Sequence, residues 1–154
     1  MRGRREKKAD GTGGQDEQAL GRSRGGFGTK IHGGISGLGL PVTLALSPGQ
    51  DADVTHAPEL LAPVQPEVVI ADKGYVGRKL RQMILAKGAV PVIPSKSNCV
   101  DPPPVDGALY RERNLVERFW AKLKRPRRVA TRYEKTARDF LAFVHVVSIT
   151  VLLQ

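Results

Sequence analysis

Residues 66–94 read PEVVIADKGYVGRKLRQMILAKGAVPVIP, and a change of hydrophobic period inside them decides the fold. PEVVIAD is a compact block of β-prone apolar residues ending in the carboxylate of Asp72, the pattern of a buried strand. The period then turns helical. In VGRKLRQMILAKG, Leu80, Ile84 and Leu85 share one side, and Gly88 supplies a stop. AVPVIP returns to a short strand. Strand, helix and strand in this order form one right-handed crossover unit.

Upstream, FGTKIHGGIS starts at Phe27, a Gly-Leu-Gly turn follows, and LPVTLALSPG runs into Ser47-Pro48-Gly49; these are two strands of a hairpin. Asp53 or Thr55 is placed to cap the helical pattern VTHAPELLAP, which Pro58 limits to a first-turn proline or a short helix. Residues 1–26 hold seven Gly and seven Lys/Arg without a hydrophobic period, the composition of a flexible basic arm. Downstream, SKSNCVDPPPVDG reads as a loop stiffened by three prolines. A helix over 110–124 follows, stopped by Pro126, and a last helix runs from about Arg132 to Leu153. The order β-β-(α)-β-α-β-α-α predicts an α/β domain over 27–154, a mixed sheet with helices on its faces.

The charge is lopsided. Lys+Arg number 25 against 15 Asp+Glu, a formal +10 with a pI near 10.2 in a chain of one-domain length, 154 residues. Between Arg111 and Arg138 eleven Lys/Arg face three Glu, with aromatic residues interleaved. Such a block suits a polyanion, since each neutralised phosphate releases counterions, and nucleic acid is the favoured partner over a merely solvated face. The single cysteine, Cys99, can form no internal disulfide, and His32, His56 and His145 show no zinc-ligand spacing. No secretory signal is legible at the N-terminus. The apolar run 140–153 is fourteen residues long, short of the roughly 20 a spanning helix needs. A cytoplasmic protein without a membrane partner is expected.

Candidate chemistry centres on YRERNLVERFWAKLK, 110–124. On a helix, Leu115, Val116, Phe119, Trp120 and Leu123 form an apolar stripe, and Tyr110, Arg113, Glu117 and Lys124 form a polar line beside it. The carboxylate among cations admits two readings. One is an i,i+4 ion pair with Arg113, worth about 0.3–0.5 kcal/mol. The other joins Glu117 to Asp72, which stands at the C-terminal end of a strand, where ligand sites are common, although Asp-x-Gly is also a favoured turn. Two or three carboxylates converging on Mg²⁺ or Mn²⁺ beside phosphate-binding cations are what two-metal phosphodiester chemistry requires.

The Tyr-x2-Arg-x3-Glu-x6-Lys spacing of Tyr110, Arg113, Glu117 and Lys124 resembles the signature of bacterial insertion-sequence transposases of the DDE type. ADKGY at 71–75 resembles the segment carrying that family's second aspartate, and GRSRGGFGTKIH at 21–32 is similar to its strand entry. NLVERFWAKLK and ATRYEKTARDFLAFVH also look like family text, so the resemblance covers nearly the whole chain. It implies a ribonuclease H-like fold and metal-dependent DNA strand cleavage and transfer. It further implies that Asp72 and Glu117 are the second and third catalytic acids and metal ligands. Arg113 and Lys124 would contact DNA, Tyr110 would help position it, and Arg118, Arg125, Arg127 and Arg128 extend the basic surface. The family's first aspartate, on the first strand of the fold, would fall before Met1, and neither Asp10 nor Asp16 lies in a β-prone run. An incomplete catalytic domain is therefore expected, from a truncated or split-frame gene. It would act as a homodimer or with a complementing upstream fragment. The alternative is a non-catalytic DNA-binding remnant that competes with intact transposase.

Overall fold

The computed structural model describes residues 14–153. Residues 1–13, half of the segment read as a basic arm, lie outside them, as does Asp10. The other half is structured: β1 (Gly21–Ser23) pairs antiparallel with the start of β2 (Gly26–Ile35), Gly21 opposite Gly28. The predicted hairpin is present. β2 pairs antiparallel with β3 (Pro41–Pro48), from Thr29 opposite Pro48 to Ile35 opposite Pro41. Gly39, at φ +79°, makes the turn that few other residues adopt.

The crossover unit is also present. α1 (Asp53–Leu61) leads to β4 (Val68–Ile70), and α2 (Arg78–Ala86) joins β4 to β5 (Val90–Val92) in parallel, Val69 opposite Pro91. The chain is thus a mixed α/β fold. The single mixed sheet expected is, among the described residues, two sheets: β1-β2-β3 and β4-β5. Val68, Val69 and Ile70 are each half-buried, where the apolar run predicted full burial, because β4 has a neighbour on one side alone. Val90 N donates to Glu67 O and Ala71 N to Val92 O, so Pro91 turns its missing N–H to the outer edge of the pair.

Helices close both layers. α4 (Asn114–Leu123) and α6 (Ala137–Leu152) bury Phe119, Leu123, Phe140, Val144 and Val147 against Ile31, Ile35, Leu44 and Leu46 of the hairpin. Ala57 of α1, Leu80 and Ile84 of α2, and Ala89 and Ile93 form a second core under Val69 and Ala71. Leu85, expected on the same side as Leu80 and Ile84, is 56% exposed, because the helix turns it off the narrow buried stripe. No Asp53 or Thr55 side chain caps α1; its N-cap is Ala52.

Two expected helices are shorter than their patterns. The 110–124 helix is split into α3 (Gly107–Arg111) and α4, because Arg113 N bonds Tyr110 O and Leu115 N bonds Glu112 O across three residues. That tighter turn advances the chain about 120° per residue in place of 100°. The last helix begins not at Arg132 but at Ala137, where the Thr136 hydroxyl accepts from Asp139 N at 3.1 Å. Before it come α5 (Arg127–Ala130) and a non-helical stretch held by Arg132. The Arg132 guanidinium donates to Gln18 O (2.7 Å), Thr29 Oγ1 (2.6 Å), Glu134 O (3.0 Å) and Lys135 O (3.2 Å), and it lies 5.3 Å from the Phe140 ring centroid. Among the described residues no helix is long and apolar enough to cross a membrane.

Candidate functional site

A cavity of about 1340 Å³ lies between β2, β4, α1 and α4. Asp72 reaches it because the chain leaves β4 through a single 3-10 turn, Lys73–Tyr75, which Asp72 caps by accepting from Gly74 N at 2.8 Å. Arg113, Glu117 and Lys124 reach it from α4 and its ends. The turn reading of Asp72 is thus present, and the same residue borders the cavity.

The Glu117 carboxylate is exposed and accepts from Arg113 Nη2 at 2.5 Å, the i,i+4 pair. Arg113 in turn lies 5.7 Å from the Tyr110 ring centroid. Tyr110 itself does not line the cavity, nor do Arg118, Arg125, Arg127 and Arg128. The four arginines are exposed, and Arg128 pairs with Glu134 and lies 4.9 Å from the Phe143 ring centroid.

Lys30 and Asp53 were not singled out from the sequence as site residues, and both line the same cavity. Lys30 Nζ donates to Asp53 Oδ1 at 2.8 Å and to Asp51 O at 2.7 Å. A Cβ added to Gly74 would stand 2.9 Å from Asp72 Oδ1 and 3.3 Å from Asp53 Oδ2, so the two carboxylates face each other across one glycine. Both fields converge on Tyr75, whose hydroxyl is pushed up to about 12 by burial first and then by Asp53 and Asp72. Nothing in the spacing signals this pairing; Asp53 opens α1, where an acid is also favoured by the helix dipole.

Beside Lys30, His32 and His56 stack at 4.7 Å although the sequence separates them. His32 Nε2 shares a hydrogen bond with Ser47 Oγ at 2.8 Å, and His56 Nε2 sits 3.1 Å from Asp51 Oδ2. Burial, then the neighbouring His56, hold the His32 imidazole below its ordinary range.

The carboxylate oxygens suit a hard divalent cation. Yet among the described residues no three His, Cys, Asp or Glu side chains come together to hold a metal ion. Asp72 and Glu117 share the cavity, but Glu117 is engaged with Arg113 and Asp53 with Lys30. The acids of the described chain do not by themselves complete a magnesium site.

The cavity thus brings the acid that follows β4 and the acid of α4 together with the cations Lys30, Arg113 and Lys124. Two family models, each for a transposase DDE domain, match residues 5–101 and 69–154. A protein of Brucella ovis named "Putative transposase for insertion sequence element IS6501" is 38% identical over 123 residues, covering 77% of this chain and 92% of that protein. No solved structure matches the chain. The chain belongs to the DDE transposase family of insertion sequences.

Proposed function

We propose that this chain binds double-stranded DNA as part of an insertion-sequence transposase with a ribonuclease H-like catalytic domain. In this reading Asp72 and Glu117 are two of its catalytic acids, and metal-dependent strand cleavage and transfer require a further carboxylate from outside the described residues. A second copy or a complementing upstream fragment would bring it. The observation that carries the reading is the common cavity: Asp72 and Glu117, far apart in sequence, border one space with Lys30, Arg113 and Lys124 around them. Arg113 would fork phosphate oxygens once Glu117 is drawn away, and Lys124 would add a point charge. Arg118, Arg125, Arg127 and Arg128 extend the track for the backbone, and Tyr110 stacks beside it.

The test mixes the purified chain with DNA bearing the element's ends and Mg²⁺ or Mn²⁺. Salt-dependent binding is expected, with nicking appearing when the upstream segment is added. A chain without DNA affinity at low salt would refute the proposal. The Arg113–Glu117 bond favours one second reading, a DNA-binding remnant without chemistry. Glu117→Gln separates them: a remnant binds as well or better and never cuts in any mixture, whereas the transposase reading predicts that the variant loses cleavage that the parent shows.

A further inference from the structure

Residues 21–29, at the junction of β1 and β2, form a braced ribbon. Ser23 stands opposite Gly26 and Arg22 opposite Phe27, so Arg24 and Gly25 make a two-residue turn. The Ser23 hydroxyl holds that turn, accepting from Gly25 N and donating to Gly26 O, each at 3.2 Å. Gly26 takes φ +111°, which glycine adopts without strain. The root is tied as well. Thr29 Oγ1 donates to Ala19 O at 2.6 Å, and the Arg132 guanidinium donates to both Gln18 O and Thr29 Oγ1.

The turn presents cations that nothing neutralises. Arg22 and Arg24 are exposed, and among the described residues neither makes an ion pair; Asp16 and Glu17, on the preceding turn, pair with neither. Arg24 is the one long side chain at the tip, between Ser23 and two glycines. Arg22 shares a face of the ribbon with Phe27, since directly opposed residues of an antiparallel pair are side-chain neighbours. Phe27 is 58% exposed and borders a second cavity, of about 560 Å³, with Tyr133, equally exposed, and Lys135, exposed and without an ion pair. The acid of that lining, Glu134, is taken by Arg128. Thr29, Val129 and Ala130 line this cavity and the larger one alike, so the surface runs on into the space that Asp72 and Glu117 border. A merely solvated face mixes its charge signs; unpaired cations beside exposed rings suit a nucleic acid.

We propose that the β1–β2 turn reads DNA: Arg24 enters the minor groove of duplex lying beyond the candidate site, and Arg22 and Lys135 hold flanking phosphates. This rests on the DNA-binding reading above and adds a source of sequence preference to it. The choice of groove follows from the size of the tip. The minor groove is about 6 Å wide and the major about 12 Å, the latter wide enough for a helix or a full ribbon. One arginine between small residues fits the narrower. Over A·T runs that groove narrows and its negative potential rises, which draws arginine most strongly there.

Fluorescence anisotropy on the full chain, in EDTA at one low salt concentration, tests it. The probes are two labelled duplexes of equal length, one an A-tract and one of G·C pairs alone. The parent should bind the A-tract tighter by about fivefold or more. Arg24→Gln should lower A-tract affinity to the G·C level and leave G·C affinity within about twofold. Its thermal melt should match the parent's, because Arg24 is exposed and unpaired. Arg24→Lys should restore less than half of the preference, the ammonium being more strongly hydrated than the guanidinium. Netropsin, which fills the minor groove of A·T runs, should abolish the preference in the parent. Arg113→Gln, in the candidate site, should weaken both duplexes alike. Equal affinity of the parent for the two duplexes would overturn the proposal, as would a preference that outlives Arg24→Gln or netropsin. Binding to neither duplex would sink the DNA-binding reading together with this one, so the two failures are told apart.

Discussion

Arg132→Ala should be the most damaging single change outside the apolar cores. The guanidinium ties three parts of the chain together: the turn at Gln18, the start of β2 at Thr29, and the segment that leads into α6. Hydrogen bonds from charged donors contribute about 1.5–3 kcal/mol each in mutational series, but the four here share one half-buried group and do not add. The ring of Phe140 beneath contributes about 0.5–1 kcal/mol more. A loss of about 3 kcal/mol follows, near the upper end of ordinary point changes. For a domain of this size that lowers Tm by about 6–12 °C. Urea and thermal unfolding followed by circular dichroism measure it, and amide exchange should show residues 18–29 opening first. Arg132→Lys keeps the charge but cannot span four acceptors, so it should recover less than half of the loss. A variant Arg132→Ala melting within 2 °C of the parent would refute the reasoning.

Other expectations are simpler. His32 is held below its ordinary 6.5 in the folded chain by burial and then by His56, so the unfolded chain binds the proton first. Stability should fall as pH drops below 6.5, by up to about 1.4 kcal/mol per pH unit until the folded imidazole also titrates; unfolding curves between pH 7 and 4 check this, and His32→Gln should flatten that slope. Gly88→Ala places a side chain at φ +76° behind α2 and should cost about 1–2 kcal/mol, read from urea midpoints. Phe140→Ala should cost about 3–5 kcal/mol, because its ring is fully buried between α6 and the hairpin. Arg125, Arg127 and Arg128, all replaced by Ala, should reduce the salt dependence of DNA binding by up to about 0.9 in log–log slope for each phosphate no longer neutralised, measured by anisotropy across a salt series.

Much of the fold was legible because local chemistry agreed with tertiary context. The hairpin, the crossover and the stop at Gly88 each follow from period and turn residues. The break before α4 was not legible: Glu112 and Arg113 both keep right-handed helical angles, and only the change to three-residue hydrogen bonds separates α3 from α4. Its effect on the candidate site is large. The tighter turn rotates Tyr110 off the line of Arg113, Glu117 and Lys124, so three of the four signature residues line the cavity and the tyrosine does not. The start of α6 could have been read from Thr136 and Asp139, a cap followed by an acid in the first turn, which outweighs the apolar run that begins later. Asp53 was invisible for another reason: its closeness to Asp72 is a property of α1 packing against the 3-10 turn, and no one-dimensional spacing encodes it.

The proline in the middle of β5 gives the small parallel sheet a polarity of its own. Its outer border lacks one hydrogen-bond donor where a stranger would dock, while the border at Val68 and Ile70 is intact and sticky. Any strand added to this small sheet should therefore join it from one side alone. A proline installed at Ile70 would leave both flanks of that pair blunted.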